Sequence, residues 1–178
     1  MKRKFLFKEK MVKRERALKV INEMYEKGIL KNYAIGGAVA TIFYTEPFLT
    51  QDIDIFFIPP DKAGIITLTP FYSFLLAKGY ETYKEYIMIA ETPIQFIPAS
   101  TELEIEALEN AIEVKVKNIK TRVLRPEYLI AIFLEVFRPK DKEKIRLIME
   151  QVKIDKKLLS DILDRYKLKK KFEDFLNE

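Results

Sequence analysis

The strongest constraint on the fold lies in residues 52–58, Asp-Ile-Asp-Ile-Phe-Phe-Ile, where two carboxylates open an otherwise apolar run. As a β-strand, the run puts Asp52 and Asp54 on one face and Ile53, Ile55 and Phe57 on the other, because side chains alternate with period two. Its isoleucines and phenylalanines favour a strand, and Pro59-Pro60 ends it, since proline cannot donate to a ladder. One face therefore asks for a core. Two like charges on the other face repel each other and lose hydration when buried, so they ask for a cation. Aspartates solvated at a strand edge, or paired with Lys or Arg, would give the same pattern.

The rest of the composition narrows the chemistry. The 178 residues include no His and no Cys, which removes disulfides, thiolate or imidazole zinc sites, Cys nucleophiles and any histidine base. A metal held by side chains alone then rests on oxygen, which favours Mg²⁺, Mn²⁺ or Ca²⁺. With 48% hydrophobic and 33% charged residues, and no apolar run near the roughly 20 residues of a membrane span, a soluble globular chain of about one domain is expected. The start MKRKFLFKEK lacks the apolar stretch of a secretory signal, so a cytoplasmic location is expected, with no membrane partner.

Charge is unevenly laid out. Residues 1–31 carry 11 basic and 4 acidic side chains, residues 32–114 carry 3 and 12, and residues 115–178 carry 18 and 11, for a net +5. An acidic middle between basic ends suits cations held centrally and an anionic partner peripherally, or simply a solvated Lys/Glu surface.

Upstream of the aspartates, the short run 33–35 breaks at Gly36-Gly37 before 38–44, a pattern of strand, glycine turn and helix start. Glycines there let backbone N–H groups approach a phosphate, although an ordinary tight turn uses the same pair. Joined to Asp52 and Asp54 by a connector with Glu46, Pro47 and Thr50, they describe a phosphate cradle beside a divalent-metal site. Such a site suits phosphoryl or nucleotidyl transfer.

Around this centre the spacing predicts an amphipathic helix over 9–27 stopped by Gly28, and a helix from an N-cap at Thr69 to Gly79. Strands are predicted over 82–89 and 94–97, joined as a hairpin through Glu91-Thr92-Pro93, and weaker ones over 114–116 and 121–124. Thr101 with Glu104 forms a capping box for a helix to about Ala111. From Pro126 onward the pattern is helical over 127–136, 140–151 and 155–176. The expected class is α+β: a mixed sheet flanked by helices over residues 1–125, then a C-terminal helical bundle over 126–178 packed on it. Tyr33 and Tyr44 are read as packing residues or as platforms for a base.

Residues 33–57, containing AIGGAVATIFYTEPFLTQDIDIFF, resemble the signature of the DNA polymerase beta-like nucleotidyltransferase superfamily. Within them, Thr50-Gln51-Asp52-Ile53-Asp54 resembles the motif of the AbiEii-type abortive-infection toxin nucleotidyltransferases. Pro126-Glu127-Tyr128-Leu129-Ile130-Ala131 and Arg138-Pro139-Lys140-Asp141 resemble the helical motifs that follow the sheet in that branch, so the likeness spans about residues 30–150. The resemblance implies a nucleotidyltransferase-type sheet that binds a nucleoside triphosphate through Gly36, Gly37 and Thr50. Asp52 and Asp54 would be catalytic and hold Mg²⁺ or Mn²⁺. The nucleotide would pass to a hydroxyl of an RNA such as tRNA, or of a protein, with a cognate antitoxin as partner. Arg138 and Lys140 would neutralise the triphosphate and Asp141 orient them, while residue types alone equally describe a helix start with Pro139 first.

The superfamily commonly carries a third carboxylate on a later strand, and here that place reads Gln95. An amide can coordinate a metal or donate a hydrogen bond, but it takes no proton near neutral pH. Glu85 or Glu91 would have to stand in. Two functions follow: a transferase, or a catalytically impaired module that binds nucleotide and metal. A third, an RNA adaptor using only the basic termini, needs none of these residues.

Overall fold

The computed structural model describes residues 2–59 and 67–178, with side chains from residue 13 onward. Pro60, half of the expected strand stop, lies outside them. The first helix, α1 (Lys2–Glu26), buries Ala17, Leu18, Ile21 and Met24 at helical spacing, while Tyr25, expected in the same stripe, is half exposed. It ends in a Schellman motif: Gly28 is left-handed (φ +68°), its N–H bonds the Tyr25 carbonyl, and the Ile29 N–H bonds Met24.

A seven-stranded mixed sheet follows, in spatial order β3-β4-β5-β2-β1-β7-β6. Its central strands are β1 (Tyr33–Ile35), β2 (Ile53–Phe57), β5 (Thr92–Pro98) and β7 (Ile119–Val123). β2 runs antiparallel to β1 and parallel to β5, and β1 runs parallel to β7. The predicted strand over 82–89 is instead a hairpin, β3 (Glu81–Tyr83) and β4 (Tyr86–Ile89), turning at Lys84-Glu85 with Lys84 at φ +55°. The next turn is Ala90-Glu91, both at positive φ as a two-residue type I′ hairpin requires, so Thr92 already belongs to β5. The last strand, β6 (Ile112–Val116), pairs with β7 at the edge.

Burial sorts the two faces. Ile53, Ile55 and Phe57 align with Ile94, Phe96 and Pro98 on the face covered by α1 and α3 (Thr69–Ala77), where Phe71 packs edge-on to Phe57. Thr69 is the first residue of α3 and Leu68 its N-cap, one position earlier than the sequence suggests. The opposite face carries α2 (Gly37–Ile42) and α5 (Pro126–Val136). Every α5 residue from Pro126 to Leu134 is buried, including Glu127, whose carboxylate accepts from the Asp155 N–H at 2.9 Å. α6 (Pro139–Gln151), α7 (Lys156–Arg165) and α8 (Lys169–Leu176) pack outward from it, the stretch 155–176 being two helices. Among the described residues no helix is long and apolar enough to cross a membrane.

One polar cluster ties these helices together. α4 (Glu102–Glu109) begins with the expected Thr101/Glu104 capping box, and its Glu106 accepts from Tyr128 of α5 at 2.6 Å and from Arg165 of α7 at 2.7 Å. The Arg165 bond, above the other contacts, holds the Glu106 carboxyl down at about 2. Tyr128→Phe is expected to lower stability to urea by about 1 kcal/mol, the usual net worth of one such bond.

Candidate active site

Asp54 sits inside β2 with its side chain on the face opposite the α1 core, level with Gln95 on β5, and Phe56 beyond it is level with Ile97. These four residues floor a cleft of about 890 Å³. One wall is the glycine turn at Gly37-Ala38 together with Thr50 and Asp52 of the connector, and another is the β3–β4 hairpin through Glu85 and Tyr86. The α5–α6 corner closes the cleft with Arg138, Lys140 and Lys144. Seven of the residues singled out from sequence, namely Gly37, Thr50, Asp52, Asp54, Gln95, Arg138 and Lys140, therefore meet in one space, and Glu85 joins them. Glu91 does not: it lies at the β4–β5 turn, exposed, with its carboxylate on Lys13 at 2.8 Å. Tyr33 and Tyr44 lie outside the cleft, their hydroxyls bonded to Asn22 and to the Leu124 carbonyl.

The two glycines do different work. Gly36 donates its N–H to the Asp54 carbonyl at 3.0 Å, and a Cβ there would meet the Phe56 ring at 2.4 Å. It seats the turn against β2 rather than bordering the cleft. Gly37 is left-handed at φ +58°, and a Cβ on it would stand 1.9 Å from Asp54 Oδ2. The bend is held this close to the carboxylate only because no side chain intervenes.

Among the described residues neither Asp52 nor Asp54 has a hydrogen bond or ion pair to its side chain. Burial, then the neighbouring Asp52 charge, push the Asp54 carboxyl from 3.8 up to about 6, against a weaker pull from Lys144, Lys140 and Arg138. The Tyr86 phenol holds its proton more tightly for related reasons, burial first and then the charges of Asp52, Glu85 and Asp54 around it. No group of three or more carboxylates close enough to share an ion occurs among the described residues. Asp52, Asp54 and Gln95 all border the cleft, and the oxygen atoms they offer fit Mg²⁺ or Mn²⁺.

The cationic wall is built around Asp141. Its carboxylate, fully buried, accepts from the Arg138 N–H at 3.2 Å, from Arg138 Nε at 2.7 Å and from Lys144 Nζ at 2.9 Å. Burial alone would raise its pKa, but the bonds from Arg138 and Lys144 outweigh this and hold it low. Asp141 thus caps the start of α6, as the helix-start reading of Arg138-Pro139-Lys140-Asp141 expects, and fixes two cations beside the cleft. Phe137, left-handed at φ +57°, makes the sharp corner that turns α5 into α6. Lys140 has no ion-pair partner among the described residues. Lys144 went unnoticed in sequence, although its spacing of four from Lys140 and three from Asp141 places it on the same helix face. Tyr86 went unnoticed too, because only the hairpin carries it to the cleft.

The architecture is a nucleotidyltransferase fold with a C-terminal helical part, as likeness to solved structures shows. ANT(2'')-Ia in complex with adenylyl-2''-tobramycin superposes with a TM-score of 0.50 and 18% identity over 84% of this chain and 98% of that one. The solution structure of the antibiotic-resistance factor ANT(2'')-Ia gives 0.51 and 15% over 89% and 97%. Neither is an abortive-infection toxin. No protein-family model matches the sequence, and no curated protein is significantly similar to it.

The Asp54 shift has a definite sign. A carboxyl whose folded pKa lies above its unfolded value takes up a proton on folding between about pH 4 and 6, so its ionised form strains the fold above about pH 6. Asp54→Asn, which resembles the protonated form, is expected to stabilise the metal-free protein by about 2–3 kcal/mol at pH 7.5, a gain roughly halved at pH 5 and nearly gone by pH 4. Thermal unfolding at these pH values measures it. Gly37→Ala is expected to cost about 1–3 kcal/mol, from backbone strain and from the collision with Asp54.

Proposed function

We propose that this protein is a divalent-metal-dependent nucleotidyltransferase, moving a nucleotide from a nucleoside triphosphate to an acceptor hydroxyl. The observation that carries the reading is the pairing, in one cleft, of two unpartnered carboxylates with a wall of three cations. Cations there suit a triphosphate, and the cleft volume is ample for a nucleotide with part of an acceptor. The fold shared with ANT(2'')-Ia, seen with an adenylylated product, supports the same chemistry.

In this reading Arg138, Lys140 and Lys144 bind the phosphates, with Asp141 fixing the first and third of them. Gly37 and Ala38 let backbone approach the nucleotide beside Asp54. Asp52 and Asp54 would hold Mg²⁺ or Mn²⁺, and a bound ion supplies charge neutralisation on the phosphates. The acceptor oxygen bonds to the α-phosphorus as the bond to the β-phosphate oxygen breaks, and pyrophosphate leaves. The hydroxyl proton needs a carboxylate. Gln95 takes none, Glu104 is engaged in its helix cap and Glu143 stands on α6 with the cationic wall. The proton is therefore assigned to Glu85, whose charge acts on the Tyr86 phenol together with those of Asp52 and Asp54.

Gln95 opposite Asp54 also favours a second reading, a module that binds nucleotide and metal with little turnover. One experiment separates the two. The protein is incubated with each α-labelled nucleoside triphosphate and Mg²⁺, in separate arms with tRNA, a protein mixture or tobramycin as acceptor. The first reading expects label transfer abolished by EDTA and by Asp54→Asn, and reduced by about 10²-fold in Glu85→Gln. Nucleotide binding without transfer, with turnover gained in Gln95→Asp, would favour the second. Neither transfer nor metal-dependent nucleotide binding would sink both. Lys140→Ala is expected to weaken nucleotide binding by about tenfold without unfolding the chain, a loss of one charge-assisted contact.

A further inference from the structure

The connector between α2 and β2 delivers Asp52 to the cleft, yet it has little holding it. At its start, the Glu46 N–H donates to Gln151 Oε1 of α6 at 2.7 Å. Between there and Asp52, among the described residues, one hydrogen bond reaches residues 47–51: Arg14 of α1 donates from Nη2 to the Thr50 carbonyl at 2.8 Å. Thr50 is buried, and Arg14 is only 8% exposed. Burial lowers the proton affinity of its guanidinium, and attraction to Asp52 partly restores it, so this cation stands near the aspartate without an ion-pair contact. A guanidinium keeps its charge and rigid fork even when desolvated, which suits it to holding one carbonyl in place.

We propose that Arg14 is the positioning residue for Asp52: by anchoring the Thr50 carbonyl from α1, it holds the last turn of the connector so that Asp52 meets Asp54 across a shared ion. The proposal rests on the metal-dependent reading above. The sign of its effect separates positioning from plain electrostatics. Deleting a cation beside a metal ligand removes repulsion and should tighten metal binding; losing the anchor of that ligand should weaken it.

The test titrates Mn²⁺ by electron paramagnetic resonance into the wild-type chain, Asp54→Asn, Arg14→Met and Arg14→Lys, with Tm recorded for each. If the wild type shows no Mn²⁺ site that Asp54→Asn removes, the metal-dependent reading itself fails, whatever Arg14 does. Given that site, Arg14→Met is expected to weaken Mn²⁺ by about tenfold, in the range found for groups that orient metal ligands. Arg14→Lys, which keeps the charge but not the fork, is expected to recover only part of the loss. Unchanged or tighter Mn²⁺ binding in Arg14→Met overturns the proposal, even if Tm falls. Should Arg14→Met not fold, Arg14→Lys decides: weakening supports positioning, and wild-type affinity overturns it.

Discussion

Asp54 carries a charge that the protein leaves uncompensated, and much of the cleft follows from it. A carboxylate on a central strand, next to a second one, is disfavoured by desolvation and by repulsion, and the shift to about 6 measures both effects. Salt bridges inside the chain would have relieved it. The nearest cations are instead kept across the cleft: Arg138 and Lys144 are bonded to Asp141, and Lys140 projects unpaired. An anionic ligand and a divalent ion would together satisfy both walls.

Backbone economy keeps this arrangement narrow. Gly36 joins the turn to β2 through the Asp54 carbonyl, Gly37 lets the bend pass within contact distance of the Asp54 carboxylate, and Arg14 ties the connector behind Asp52. Two chain segments, the glycine turn and α1, converge on the two aspartates. Small displacements of either segment change the gap between like charges, to which the electrostatic energy is sensitive.

Much of the centre was legible beforehand because it is local. Alternation put Asp54 on the face away from the core, glycine chemistry marked the turn, and the capping box at Thr101 announced α4. Asp52, expected in the same strand, instead ends the connector because β2 begins at Ile53. The misplacements were also local in origin. The run 82–89 has no Gly, Asn or Pro at its middle, so the turn at Lys84-Glu85 gives no signal, although it brings Glu85 and Tyr86 to the cleft. Arg14 was illegible for another reason. One basic residue among 11 in the first 31 looks like solvated surface, and only packing of α1 on the sheet reveals it as buried.

By itself, then, the amino-acid order determined a strand that turns Asp54 away from the core, a second carboxylate just before it, a glycine bend upstream, and helices after Pro126. Those are consequences of period, turn propensity and capping within a few residues. Tertiary structure alone decided that Glu85 rather than Glu91 reaches the cleft, that the Gln95 expected by resemblance stands in register with Asp54, and that the cations around Asp141 face the same cleft. Strand register, helix docking and the burial of a guanidinium depend on partners tens of residues away, and no local pattern encodes the distance between them.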